Sequence, residues 1–294
     1  MNKQKSIIDI ILPTYNRKNK LSTAIKSIIS QTYPYWQLHI VNDGGIDVSK
    51  IIDKFSDSRI FYYQIKHSGK TQALNYALKK THHSYITYMD DDDIVFPNHL
   101  KTLITAAIKY KKNFVYTDTY LTKIDEKTNR IISQTIENDL DVTYEMLRFQ
   151  NYINHKQILH TRKLYKKVGE YDEKLSILID WDYIKRLAKI SEPYHVKIIT
   201  GNHFLYKKNN EINSISGLWK KNPEKVGKSL NIIFSKDNLS MVELYAQHQK
   251  FKTQIYTLQS ELNSIKLSKF YKLWQIYCKL KKIFTINYGH KKTN

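Results

Sequence analysis

The stretch "YMDDDDIVFP" sets four carboxylates, Asp90, Asp91, Asp92 and Asp93, directly behind an apolar run that reads as a strand. At an effective dielectric of about 20 and a separation of roughly 6 Å, each like-charge pair costs on the order of 3 kcal/mol, so the run needs a positive partner. An extended chain sends alternate side chains to the same side, which predicts that Asp90 and Asp92 project together while Asp91 turns away. Two convergent carboxylates suit a hard divalent cation, Mg²⁺ or Mn²⁺. Such an ion takes few protein ligands and completes its shell with phosphate oxygens. Taken alone, the same run reads more simply as a solvated loop whose last member, Asp93, caps the helix that begins near Pro97.

Two further residues have chemistry to offer. Asp180, in "ILIDWDYIKRL", opens an amphipathic helix far along the chain and is of the type that takes a proton from a hydroxyl. Its plainer role is that of a helix N-terminal acid favoured by the dipole, with Arg186 as a partner. Lys70, in "HSGKTQALN", supplies an ammonium that would stabilise charge on a departing diphosphate. His82 and His83 are adjacent and cannot share a helix face. They read, with His155 and His160, as ordinary surface or core histidines. Gly44, Gly45 and Gly69 are too sparse for a dinucleotide loop and read as turns.

The elements that must position these groups alternate along the first ninety or so residues. Strands "SIIDIIL", "WQLHIVND", "RIFYYQI" and "YITYMD" are separated by helices "LSTAIKSIISQT", "VSKIIDKF" and "TQALNYALKKT". This βαβ alternation predicts a mostly parallel sheet with flanking helices, whose ligand crevice lies at the carboxyl ends of the strands. Thr14 to Arg17, Asn42 to Gly45 and Asp90 to Asp93 each follow a strand directly, so they should share one rim. Residues 114–160 are harder to read: "FVYTDTYL" and "RIISQTI" pattern as strands and "YEMLRF" as a short helix. A helix closed by Gly169, the Asp180 helix and one or two strands in "YHVKIITGNHFLYKK" follow.

Five blocks, "ILPTYNR", "VNDGG", "HSGKTQALN", "YMDDDDIVFPNHL" and "ILIDWDYIKRL", occur in this order over roughly residues 7 to 207. Together they resemble the family 2 glycosyltransferases of the GT-A fold. That resemblance implies an inverting, metal-dependent enzyme moving a sugar from a nucleotide-diphosphate donor, a UDP-sugar, to a hydroxyl of a lipid-linked or cell-envelope glycan. It implies that Pro13, Thr14, Tyr15, Asn16 and Arg17 hold the nucleotide, that Asp43 meets the base, and that Lys70 and Asp91 also contact the donor. It further implies that Asp92 and Asp90 bind Mn²⁺ or Mg²⁺, and that Asp180 is the catalytic base. The chain departs from the family where Ile179 replaces an acid before Asp180. A second departure is Lys207, Lys208 and Asn209, which precede Ser214 and Ser216 in place of an Arg-x-His. A competing class is a non-catalytic polyanion- or lipid-binding module on the same scaffold.

Composition sets the remaining expectations. Lys and Arg number 48 against 27 Asp and Glu, a net charge of +21, which attracts phosphate-bearing partners of any kind. Cys278 is the only cysteine, so no intrachain disulfide forms and the cytoplasm is the default location. The apolar run at 7–12 is interrupted by Asp9 and stopped by Pro13, too short for a signal peptide. Residues 1–235 are expected to form the catalytic domain and 236–294 a helical extension. In that extension Leu244, Phe251, Ile255, Leu258, Leu262 and Ile265 make a seam suited to pairing with a second copy of the chain. Beyond Glu261 there is no acid, and Phe270, Leu273, Trp274 and Tyr277 share a face rimmed by lysines. This pattern suits a peripheral helix on an anionic membrane surface. Nucleic acid is not an expected partner.

Overall fold

The computed structural model describes residues 6–237 apart from 138, 209, 210 and 213–221, together with scattered positions from 239 to 264. Most of the Leu244–Ile265 seam, the basic stretch beyond it, and the Asn209, Ser214 and Ser216 positions lie outside the described residues. The chain divides into two units after Asp237.

The first unit opens with β1 (Ile8–Thr14), α1 (Lys18–Ile29), β2 (Trp36–Asn42), α2 (Ser49–Ile52), β3 (Ile60–Gln64), α3 (Lys70–Lys80) and β4 (Tyr85–Tyr88). It continues with β5 (Ile94–Val95), α4 (His99–Lys109), β6 (Phe114–Asp125), β7 (Ile131–Glu137), α5 (Tyr144–Leu147), β8 (Ile158–Thr161) and α6 (Arg162–Val168). The last elements are α7 (Ile179–Ile190), β9 (Tyr194–Lys208), β10 (Glu211–Ile212) and α8 (Pro223–Ser235). One sheet runs in the order β10-β9-β6-β8-β4-β1-β2-β3, with β5 on β9 and β7 on β6.

The run β3-β2-β1-β4 is parallel, as the βαβ alternation predicts. Beside it β8 enters antiparallel between β4 and β6, and β6 pairs parallel with β9. The sequence gives no strand signal for β8 or β5. β5 holds only two residues, and the β8 run Ile-Leu-His-Thr does not alternate apolar with polar. Alternate residues of β1 feed opposite faces of the sheet. Ile8, Ile10 and Leu12 pack with Leu21, Ile25 and Leu103 from α1 and α4. Ile11 packs with Leu74, Ala77, Tyr183 and Leu187 from α3 and α7. Of the α1 face that the spacing predicts, Leu21, Ala24, Ile25 and Ile28 are wholly buried and Ile29 is partly buried.

The carboxyl ends of β1, β2 and β4 form the expected rim, and the loops that leave them touch. Gly45 has φ of +76°, and a Cβ there would lie 2.2 Å from Asn16 Oδ1. Glycine is therefore required for the β2–α2 loop to approach the loop after β1. Gly169 ends α6 at φ +83°, as the sequence suggests.

Candidate active site

β4 stops at Tyr88, and the four aspartates curl into a turn in which Asp93 N donates to Asp90 O at 3.3 Å. Strand alternation therefore ends before it can send Asp91 outward. Contrary to the extended-chain expectation, Asp91 lines the same cleft as Asp90 and Asp92. It accepts a hydrogen bond from Thr14 Oγ1 at 2.7 Å, and Arg17 Nη1 lies 3.4 Å away. Asp90 accepts from Lys70 Nζ at 2.8 Å, Asp92 pairs with Arg17, and buried Asp93 accepts from Lys156 Nζ at 2.7 Å. The positive partners that the acidic run calls for are thus three side chains from distant segments. Asp93 is spoken for by Lys156, and the side chain that caps α4 is Gln31, whose Oε1 accepts from Leu100 N at 2.9 Å.

The field of these cations is uneven. Burial works against the Asp90 carboxylate, but Lys70 and the neighbouring His155 and Lys156 hold its pKa below the usual range. Burial prevails at Asp91, whose pKa is pushed up to about 6 although Thr14 and Arg17 oppose the shift. Burial also disfavours the Lys70 ammonium, yet Asp180 and Asp90 together raise its pKa. Two adjacent carboxyls therefore differ in proton affinity because an ammonium lies 2.8 Å from Asp90, whereas Asp91 has a hydroxyl at 2.7 Å and a guanidinium only at 3.4 Å.

A cleft of about 410 Å³ runs over this turn. Its walls are Pro13, Thr14, Tyr15 and Arg17 from the loop after β1, Asp43 after β2, Lys70 at the start of α3, and Asp90 to Asp92. His67 completes it, with its ring stacked on Tyr15 at 4.2 Å between centroids. Asp43 is buried and accepts from Ser68 N at 2.8 Å and Gly69 N at 2.9 Å. It thereby fixes the loop that leads into Lys70, and a carboxylate still has lone-pair sites beyond these two. Asn16 stands apart from this cleft: its Oδ1 accepts from Ile46 N at 2.9 Å, and it lines a second, open cleft of about 740 Å³. Arg17 and Asp92 line both.

Asp180 reaches the site from α7. The preceding Leu178 has φ of +59°, a left-handed conformation that costs a branched side chain on the order of 1 kcal/mol and aims the first turn of the helix. Asp180 Oδ2 lies 3.6 Å from Lys70 Nζ, so the one ammonium sits against both Asp90 and Asp180. Asp180 Oδ1 is buried without a hydrogen bond and lies 3.5 Å from His155 Nδ1, a ring whose protonated form burial disfavours. Arg186 does not partner Asp180. It pairs with Asp182 at 2.9 Å, and Lys236 takes the other oxygen of Asp182 at 2.6 Å.

Sequence reasoning missed two histidines. His67 heads the "HSGKTQALN" block, which was a usable signal. His155 is buried beneath Asp180, stacks on Tyr88 at 4.2 Å, and joins Tyr171 Oη through Nε2 at 2.6 Å. Nothing local marks it, because Asp180 is 25 residues further along the chain.

Among the described residues no three His, Cys, Asp or Glu side chains gather as a metal cage. The donor set at the turn is instead two aspartates of one cleft, all-oxygen and hard. It fits a divalent ion of the kind that binds through one or two carboxylates and substrate phosphates.

With this geometry in hand, comparison with known proteins is informative. The family model described as Glycosyl transferase family 2 matches residues 9–175, more than half of the chain. An uncharacterized glycosyltransferase of Rickettsia typhi is 27% identical over 198 residues, which cover 66% of this chain and 62% of that protein. The match thus spans less than two thirds of that relative's length. The Escherichia coli UDP-Glc:alpha-D-GlcNAc-diphosphoundecaprenol beta-1,3-glucosyltransferase WfgD is 34% identical over 37% of this chain and 44% of its own. Among solved structures, S. aureus TarS residues 1-349 in complex with UDP-GlcNAc superposes with a TM-score of 0.57 at 15% identity. That superposition covers 78% of this chain and 70% of the TarS chain, and it shows a shared fold.

Proposed function

Because the chain belongs to glycosyl transferase family 2 and has its GT-A fold, we propose that it is an inverting enzyme that moves a sugar from a nucleoside diphosphate donor to a hydroxyl of a lipid-linked glycan. The observation that carries this reading is Lys70, whose ammonium lies 2.8 Å from Asp90 and 3.6 Å from Asp180. It puts the charge that would meet a departing diphosphate beside the carboxylate that would take the acceptor's proton.

In this reading the nucleotide occupies the cleft under the Tyr15–His67 stack, with its base against the ring edge and Asp43, and its phosphates over Lys70 and Arg17. A divalent ion held by Asp92 with Asp90 would supply positive charge to the leaving diphosphate. Lys70 adds a fixed cation at the same oxygens. The acceptor oxygen attacks the anomeric carbon from the face opposite the leaving group, and the carbon–oxygen bond to phosphate breaks with its electron pair going to the diphosphate. Asp180 takes the hydroxyl proton, with the Lys70 ammonium 3.6 Å from its carboxylate. A UDP-sugar donor is supported by the TarS complex with UDP-GlcNAc, and a lipid-linked acceptor by the similarity to WfgD. Residues 1–235 would carry this chemistry and 236–294 would form the extension.

Thermal denaturation with a panel of nucleoside diphosphates, with and without Mn²⁺, tests the reading directly. One diphosphate should raise Tm, and only with the metal present. No shift with any base, or an equal shift with all bases and no metal, would favour the non-catalytic polyanion-binding module.

A further inference from the structure

The edge of the sheet opposite the aspartate-bearing rim carries charge of one sign. Three neighbouring segments meet there: 79–85 entering β4, 108–114 entering β6, and 160–168 leaving β8 for α6. They carry nine Lys and Arg and no Asp or Glu. The backbone ties them together, with Thr161 N donating to Asn113 O at 2.9 Å and Arg162 N to Ser84 O at 2.8 Å. Between them lies a cleft of about 600 Å³ lined by His82, Ser84, Asn113, Arg162, Lys163 and Lys166, among others. Lys163, Lys166 and Lys167 are exposed and form no ion pair among the described residues, while Tyr110 and Ile108 stand 45% and 48% exposed beside Lys109.

Helix dipoles account for part of this pattern, since Lys79, Lys80 and Lys109 end helices where a cation is favoured. They do not account for Arg162 and Lys163, which open α6 with no acid in its first turn, where positive charge is disfavoured. Beneath the face, buried Asp9 accepts from Arg162 Nη2 at 2.9 Å, from His83 Nδ1 at 2.7 Å and from the His82 and His83 amides. The underlying charge is therefore consumed inside the protein; of the outer lysines Lys79 pairs with Glu170 at 3.2 Å, while Lys163, Lys166 and Lys167 are left to face solvent.

We propose that this face docks the protein on an anionic phospholipid surface. Lysines in a single-sign patch, with aromatic and aliphatic side chains exposed among them, match phosphate headgroups above a hydrocarbon layer. The orientation follows from the sheet: seven-residue β1 separates the two rims by about 20 Å. The cleft at Asp90 and Asp180 then opens away from the lipid, onto a glycan standing off the surface rather than onto its lipid-proximal end.

The test compares two full-length variants of equal charge change. One carries Lys163→Glu, Lys166→Glu and Lys167→Glu, and the other Lys50→Glu, Lys54→Glu and Lys127→Glu, at exposed lysines remote from this face. Each basic residue near an anionic leaflet is worth roughly fivefold in partitioning. Neutralising three lysines would cost roughly a hundredfold, so the first variant, which reverses them, should lose more than a hundredfold in co-sedimentation with phosphatidylglycerol vesicles, the second less than tenfold, and neither should bind pure phosphatidylcholine. A Lys→Gln triple at the same three positions should fall between wild type and the first variant. Equal losses in the two Glu variants, no binding by wild type, displacement by millimolar inorganic phosphate, or a larger loss of RNA binding than of vesicle binding would each overturn the proposal. The diphosphate-dependent rise in Tm should persist in both, so a failed docking test leaves the enzymatic reading standing and is told apart from its failure.

Discussion

Lys70 holds two carboxylates at once, and each loses something different when it is removed. Lys70→Met should lower transfer by roughly 10² to 10³, because a fixed charge at the leaving oxygens is removed together with the ion pair of the proposed base. Asp180→Asn should lower kcat by roughly 10² to 10⁴ while the nucleoside diphosphate binds as before. Isothermal titration beside steady-state kinetics would expose the split. Arg17 differs in kind, for its side chain is 51% exposed, so its pair with Asp92 is worth little. Arg17→Ala should leave Tm nearly unchanged and raise Mn²⁺ affinity in the absence of nucleotide, read by electron paramagnetic resonance, since a competing cation has gone. The acidic run, Lys70 and Asp180 are legible in the sequence because their residue types announce chemistry within recognisable blocks. His155 is not, since its place beside Asp180 exists only once β8 and α7 have packed together.

At the scale of elements, Asp9 shows how a residue that interrupts a hydrophobic strand can hold several elements together. It is fully buried in β1, and through its carboxylate β1 is joined to the α3–β4 loop and to α6. Burial opposes its charge, but hydrogen bonds from His39 and His83 prevail and bring its pKa down from 3.8 to about 2. A carboxylate whose folded pKa lies below its unfolded one contributes stability that is full above the unfolded value and is lost as pH falls through the folded one. Denaturant titrations should therefore show stability falling from about pH 4 toward pH 2. Asp9→Asn should cost about 2 to 4 kcal/mol at pH 7 and flatten that dependence. The sequence reveals β1 as an apolar run buried at all seven positions and α1 by a stripe recurring over its turns. It fails at β8, whose Ile-Leu-His-Thr run has no alternation and whose register is set by its partners β4 and β6.

Within the first unit, the cleft rim mixes aspartates with Arg17 and Lys70, whereas the three segments of the opposite edge carry bases alone. If the docking proposal holds, vesicle partitioning should fall steeply as salt rises from low to physiological ionic strength. The Tm rise with Mn²⁺ and nucleoside diphosphate should change far less, because partly buried charges are screened less than exposed ones. No helix among the described residues is long and apolar enough to cross a membrane. The sequence by itself determined the order of the five blocks, the family they belong to and the parallel run β3-β2-β1-β4, since these follow from short-range pattern and residue type. Tertiary structure alone decided that Arg17, Lys70 and Lys156 neutralise the aspartates, that Asp180 meets His155, and that three basic segments form one face. Those are contacts across 20 to 110 residues of chain, fixed by strand order and packing, on which local periodicity carries no information.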